Sequence, residues 1–271
     1  MHAPYDNRDT PSPSARFAAG GTPVVLDRRE GPHGEVVLRR QGEVLQIIAN
    51  GCFLMDTSDG RSERLLVDAA LDALDGRPAP AVLIGGLGVG FSLAHAAANP
   101  RWGAITVVER EEAVINWHGL HGGTGRAGPP TARRPGPAPG PGTPSAQAPA
   151  AAPFAALTAA ALADPRTVVV HADLVAHVHA SRAVHDALCL DIDNGPGWTV
   201  TEDNDGLYSP AGLAACRARL TPGGVLAVWS AKPSPDFEET LRNAGFRGVH
   251  TKEIPVARGV PDVVHLAVRP G

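Results

Sequence analysis

Ala81-Val82-Leu83-Ile84-Gly85-Gly86-Leu87-Gly88-Val89-Gly90-Phe91, followed by Ser92-Leu93-Ala94-His95-Ala96-Ala97-Ala98, decides how this chain folds. The apolar run that opens it has no polar interruption, which predicts a strand buried on both faces. Four glycines then predict a tight turn, and the Ala-rich stretch predicts the helix that leaves it. Such a turn gives access. Without a Cβ the backbone approaches a ligand closely, and the first N–H groups of the helix point at it. About twenty residues on, Ile105-Thr106-Val107-Val108-Glu109 predicts a second buried strand that ends in a carboxylate. A glycine turn followed by an acid at the tip of the next strand is how an α/β fold holds a ribose by its hydroxyls.

The spacing narrows the ligand. A G-x-G-x-x-G reading from Gly86 and Gly88 puts its third glycine on Phe91, and a reading from Gly88 and Gly90 puts it on Leu93. The hydride-cofactor fingerprint therefore fails, and no G-K-[ST] follows for a triphosphate. The G-x-G-x-G spacing of Gly86, Gly88 and Gly90 instead resembles the class I fold that binds S-adenosylmethionine. A strand–helix connection without any ligand would use the same glycines; Glu109 weighs against that simpler account.

Composition bounds the rest. At 271 residues, with 43% hydrophobic but only 4% aromatic side chains, the chain has the material for one large or two small domains. A formal net charge of −4 gives no basic field for nucleic acid or an anionic membrane. Cys52, Cys189 and Cys216 lack metal or redox spacing, which predicts a reducing cytoplasm and no metal. No apolar run reaches the length of a membrane span, and none at the start reads as a signal peptide.

In chain order, residues 1–21 read as a disordered arm. Residues 22–59 carry short alternating runs at Val24–Leu26, Glu35–Leu38, Val44–Ile48 and Cys52–Met55, with turns at Gly31–Gly34, Gln41-Gly42 and Asn50-Gly51. They predict an antiparallel β-subdomain in front of an α/β domain over 60–271. Arg61–Leu74 has helical spacing. A further helix, Glu111–His118, leads into about 119–153, a stretch of Gly, Pro and Ala that reads as a disordered insertion. His118 and His121 border it and are expected to face solvent. Thr167–His171, Ala187–Asp191 and Val225–Trp229 continue the buried strands, with helices Pro210–Leu220 and Pro235–Ala244 and a closing pair, Val249–Val256 and Val263–Val268. Carboxylates fall at strand ends, on the edge where open α/β sheets bind ligands. Cys189 reads as core. His171, His177 and His179 lack partners for a metal site.

Taken together, Ile-Gly-Gly-x-x-x-Gly, Val-Val-Glu, Ala-Asp, Leu-Asp-x-x-Asn-Gly-Pro, Leu-Tyr-Ser and Leu-Thr-Pro-Gly-Gly, behind a β-subdomain, resemble the spermidine synthase family of polyamine aminopropyltransferases over roughly residues 23–269. The resemblance implies a Rossmann-like class I methyltransferase fold: a mostly parallel seven-stranded sheet with a C-terminal antiparallel strand. It implies that Gly85, Gly86, Gly88 and Gly90 meet an adenosyl sulfonium, S-adenosylmethionine or its decarboxylated form, as co-substrate. Glu109 would take the ribose hydroxyls and Asp173 the adenine amino group. Asp191, Asp193 and Asn194 would flank the reacting carbon. Trp198 and Tyr208 read as the lining of an acceptor pocket, or as packing for the loop. The partner implied is a small amine or other small acceptor, with a homodimer as the assembly left open.

Three positions depart from the family pattern. Gly88 stands where the family's glycine loop carries an Asp, Asn194 where its catalytic loop has a second Asp, and Ser62-Glu63-Arg64 where it has Tyr-His-Glu. Aminopropyl transfer needs carboxylates for a protonated amine and for the donor's ammonium group. Three readings follow: an aminopropyltransferase, a methyltransferase using intact S-adenosylmethionine, which the missing acid at Gly88 suits, and a non-catalytic ligand-binding member.

Overall fold

The computed structural model describes residues 21–120, 152–192, 195–196, 204–254 and 260–271. The expected arm, all but the ends of the insertion, and Asp193, Asn194 and Trp198 lie outside the described residues. The chain divides into two compact units, residues 1–58 and 59–271.

The first unit is a four-stranded antiparallel meander of β1 (Val24–Gly31), β2 (Gly34–Gln41), β3 (Val44–Ala49) and β4 (Cys52–Asp56). Alternation sets its inner face, with Val36, Leu38, Ile47 and Ala49 buried. The β3–β4 turn is Asn50-Gly51, both with positive φ (50° and 78°), the geometry that tight hairpins require.

The second unit is a seven-stranded sheet covered on both faces. Helix α1 (Arg61–Ala73) precedes β5 (Ala81–Gly85), α2 (Phe91–Ala98), β6 (Ala104–Glu109) and α3 (Glu112–Trp117). Next come α4 (Ala155–Ala163), β7 (Thr167–His171), α5 (Leu174–Ala180) and β8 (His185–Leu190). The remainder is α6 (Asp205–Tyr208), α7 (Pro210–Ala218), β9 (Leu220–Ser230), α8 (Pro235–Asn243), β10 (Arg247–Ile254) and β11 (Asp262–Val268). The strand order is β10-β11-β9-β8-β5-β6-β7. Strands β5–β9 run parallel, and β11 is antiparallel to both β9 and β10.

This is the fold class that the glycine turn and the buried runs imply. Val82, Leu83, Ile84, Ile105, Val107, Val108 and Leu188 are almost wholly inaccessible, as strands covered on both faces must be. Leu83, Val108, Leu188, Leu226 and Val228 pack on one face with Leu174, Leu213, Phe237 and Leu241 from α5, α7 and α8. Helix α4 has no counterpart among the helices expected from the sequence. The Thr221–Gly224 turn is a bulge rather than a break, because Leu220 already pairs with His185. No helix among the described residues is long and apolar enough to cross a membrane.

The chain leaves β5 for β6 on one side and returns through α5 to β8 on the other. The crevice beyond the carboxyl ends of β5 and β8 is therefore the topological switch point, where open α/β sheets bind ligands.

Candidate adenosyl and acceptor site

The glycine turn lies at that switch point. Gly86, Gly88 and Gly90 have φ of 92°, 50° and 100°, a region that side-chain-bearing residues avoid. Close packing adds to the requirement. A Cβ on Gly86 would stand 2.6 Å from the Asp191 carbonyl oxygen, and one on Gly85 2.5 Å from Leu174 Cδ2. The turn is stitched to its neighbours by Gly86 N–H donating to Val108 O (2.9 Å) and Asp191 N–H donating to Gly85 O (3.1 Å).

Glu109, at the tip of β6, is buried against the turn. Its Oε2 accepts from Leu87 N–H and its Oε1 from Glu111 N–H, both at 2.8 Å. Burial pushes the carboxyl above its ordinary range, opposed by the N–H groups of Glu111, Leu87 and Gly88. A carboxylate has about four lone-pair sites, so three backbone donors leave capacity for a ribose hydroxyl. Asp173 follows β7 on the same sheet edge, held there by Ala172 N–H donating to Glu109 O (3.0 Å). It caps α5, Oδ1 accepting from Ala176 N–H at 2.7 Å. Both acids also do structural work on the chain itself.

Asp191, at the tip of β8, faces a carboxyl that sequence reasoning missed. Glu63 lies in the first turn of α1, buried, on the stripe that carries Leu66, Val67 and Ala70. Gly60, before α1, is pressed on the ring of Phe91 at the start of α2, where a Cβ would come within 2.5 Å. That packing brings Glu63 towards Asp191. Burial and the Asp191 charge push Glu63 up to about 8. Burial also lifts Asp191 to about 6, partly offset by the Ser92 hydroxyl. The two titrate as a pair, and burial together with their mutual repulsion makes it resist carrying two negative charges. A buried carboxyl pair favours an ammonium group or a proton. The periodicity 63-66-67-70 was the available signal, since it puts Glu63 on an apolar face.

Other expected residues fall as follows. Tyr208 is buried, its ring edge-on to Phe237 with centroids 5.6 Å apart. Asn204 is buried, with Oδ1 3.4 Å from Arg110 Nη1. Gly195 packs on Ser230. Cys189 is core, its Sγ 3.9 Å from Leu66 O. His118 corrects an expectation. It is buried rather than facing solvent, because α3 and α4 close over it: Nδ1 lies 2.8 Å from Thr158 Oγ1 and Nε2 2.8 Å from Gly88 O. Its burial holds the imidazole neutral, down to about 4.

No family model and no curated protein matches the chain. Solved structures do match. A spermidine synthase in complex with the transition-state analogue AdoDATO aligns over 90% of this chain and 73% of its own, with TM-score 0.63 at 15% identity. Spermidine synthase from Thermotoga maritima aligns over 90% and 72%, with TM-score 0.62 at 14% identity. A probable spermidine synthase from Corynebacterium glutamicum ATCC 13032 aligns over 90% and 80%, with TM-score 0.52 at 13% identity. At these identities the likeness is one of fold. The chain has a spermidine-synthase-like, class I methyltransferase-like fold.

Proposed function

We propose that this chain is a spermidine-synthase-like transferase that binds decarboxylated S-adenosylmethionine, or a related adenosyl sulfonium, and transfers an aminopropyl group to a small amine. The buried Glu63–Asp191 pair beside the glycine turn carries this reading. Both reactants bring ammonium groups, and a carboxyl pair that resists full ionisation holds one of them while accepting its proton. The amine nitrogen then attacks the carbon next to the sulfonium. The C–S bond breaks with its electrons passing to sulfur, and methylthioadenosine leaves as a neutral thioether.

In this reading Glu109 takes the ribose at a hydroxyl with its remaining lone pair, and Asp173 takes the adenine amino group. Gly85, Gly86, Gly88 and Gly90 let the backbone meet the sulfonium end. Asp191 holds the reacting amine with Asp193 and Asn194 beyond it, and Trp198 and Tyr208 belong to the acceptor side. The chemistry needs no metal. A cytoplasmic homodimer acting on small molecules, without nucleic acid or membrane, completes the proposal.

Gly88 supports a second reading, methyl transfer from intact S-adenosylmethionine. With no acid at that position, nothing there repels the methionine carboxylate. Calorimetric titration with S-adenosylmethionine, its decarboxylated form and methylthioadenosine decides between them. Preference for the decarboxylated form, followed by turnover with a diamine, is expected. Preference for the intact form favours methyl transfer, and binding of neither sinks both.

A further inference from the structure

Residue Gly88 is gripped at both ends of its own backbone. Its N–H points to the Glu109 carboxylate, which also takes Leu87 N–H at 2.8 Å. Its carbonyl oxygen lies 2.8 Å from His118 Nε2. A carbonyl only accepts, so Nε2 carries a proton. Nδ1 of the neutral ring is then an acceptor, and the Thr158 hydroxyl, 2.8 Å away, is the group able to donate to it. Thr158 also lies 3.0 Å from Phe154 O but has one hydrogen to give, and the ring nitrogen fixes where it goes. The same two side chains fill the space beside the next glycine. A Cβ on Gly90 would stand 2.2 Å from Thr158 Cγ2 and 3.0 Å from His118 Cε1.

We infer that His118, its tautomer set by the Gly88 carbonyl and its Nδ1 held by the Thr158 hydroxyl, is a positioning residue for the glycine turn, the second jaw of a clamp whose first jaw is Glu109. Resting on the proposal that the turn meets an adenosyl sulfonium, the inference assigns part of that ligand's affinity to a histidine that does not touch it. A glycine has no side chain to restrict its dihedrals, so its peptide planes stay in place only when neighbours fix them. Here the N–H is fixed from β6 and the carbonyl from the end of α3. His118 and Thr158 also flank the 121–151 segment, with Trp117 O accepting from Phe154 N–H at 3.1 Å just beside them. The two helices that border the segment thereby reach the ligand turn.

The test compares His118→Ala, His118→Gln and Thr158→Val with the parent chain by amide hydrogen exchange over 85–91 and by calorimetric titration with methylthioadenosine. In His118→Ala the turn is expected to exchange faster and methylthioadenosine to bind about tenfold more weakly, the size of one lost hydrogen bond. His118→Gln, which returns an N–H donor towards Gly88 O, is expected to restore most of both, and Thr158→Val to fall between. Unchanged exchange in a folded His118→Ala overturns the clamp, as does failure of His118→Gln to recover either readout when it melts like the parent. Should His118→Ala not fold, Thr158→Val carries the same two readouts, and parental values for both overturn the inference. If exchange responds as expected but the parent binds no adenosyl ligand, the clamp stands, and the functional reading and the assigned affinity fall together.

Discussion

Glu63 and Asp191 carry the strongest electrostatic consequence at the scale of single residues. Their folded-state values lie above those of free side chains, Glu63 moving from 4.5 to about 8 and Asp191 from 3.8 to about 6. Well below about pH 3 both are protonated whether the chain is folded or not, so their raised values cost nothing there. As pH rises through the unfolded values towards 8, the unfolded chain releases protons that the folded chain retains, and stability falls. Holding a proton tenfold more tightly in one state than in the other corresponds to about 1.4 kcal/mol. Glu63→Gln is therefore expected to melt above the parent at pH 8 and level with it at pH 4, by roughly 2–4 °C per kcal/mol. Thermal melts across that range check this; parallel curves would show that the carboxyl is not held in the pair.

Asp173 separates a structural task from a ligand task. Asp173→Ala removes a helix cap, a loss of about 1 kcal/mol. Asp173→Ser keeps a capping hydroxyl but has no carboxylate to reach an adenine. The serine variant is thus expected to melt near the parent and still bind methylthioadenosine several-fold more weakly. Calorimetry beside a melting curve decides it, and parental affinity would leave Asp173 as a cap alone.

At the scale of elements, α3 and α4 form a closed neck. Trp117 O accepts from Phe154 N–H, the Trp117 and Phe154 rings meet edge to face with centroids 6.4 Å apart, and Gly119 lies close to Ala152. Because the ends already meet, joining Leu120 to Ala152 through a short Gly-Ser linker lowers the loop-closure cost by about 1–2 kcal/mol. The shortened chain is expected to melt a few degrees above the parent, at roughly 2–4 °C per kcal/mol, and to bind methylthioadenosine as well. A large drop in either would show that residues 121–151 contribute contacts of their own.

The same elements mark what the sequence leaves hidden. Strands β5 to β9 are legible because unbroken apolar runs have one explanation in a sheet covered on both faces. Glu109, Asp173 and Asp191 are legible as carboxylates at strand ends. Helix α4 is written in alanine and leucine, without charge contrast between its faces, so it has no period to read. His118 is invisible for another reason. Its partners, Gly88 and Thr158, lie 30 and 40 positions away, and only the packing of α3 and α4 brings them together. Glu63 lies between these cases, since its place on an apolar stripe is readable but the Asp191 opposite it is not.

At the scale of the whole molecule, strand order has a mechanical consequence. Strands β5 and β6, from the chain before the 121–151 segment, lie between β8 and β7, from the chain after it. Each half holds the middle or the flanks of one continuous hydrogen-bonded ladder. If a protease site placed near Pro130 is cleaved, the two fragments are expected to co-elute in native size-exclusion chromatography and to part only in denaturant. Reassembly from separated fragments would be slow, since a two-stranded wedge must re-enter a gap that closes as soon as it is vacated. Severed covalently, the molecule would still behave as one body, tied by its own weave.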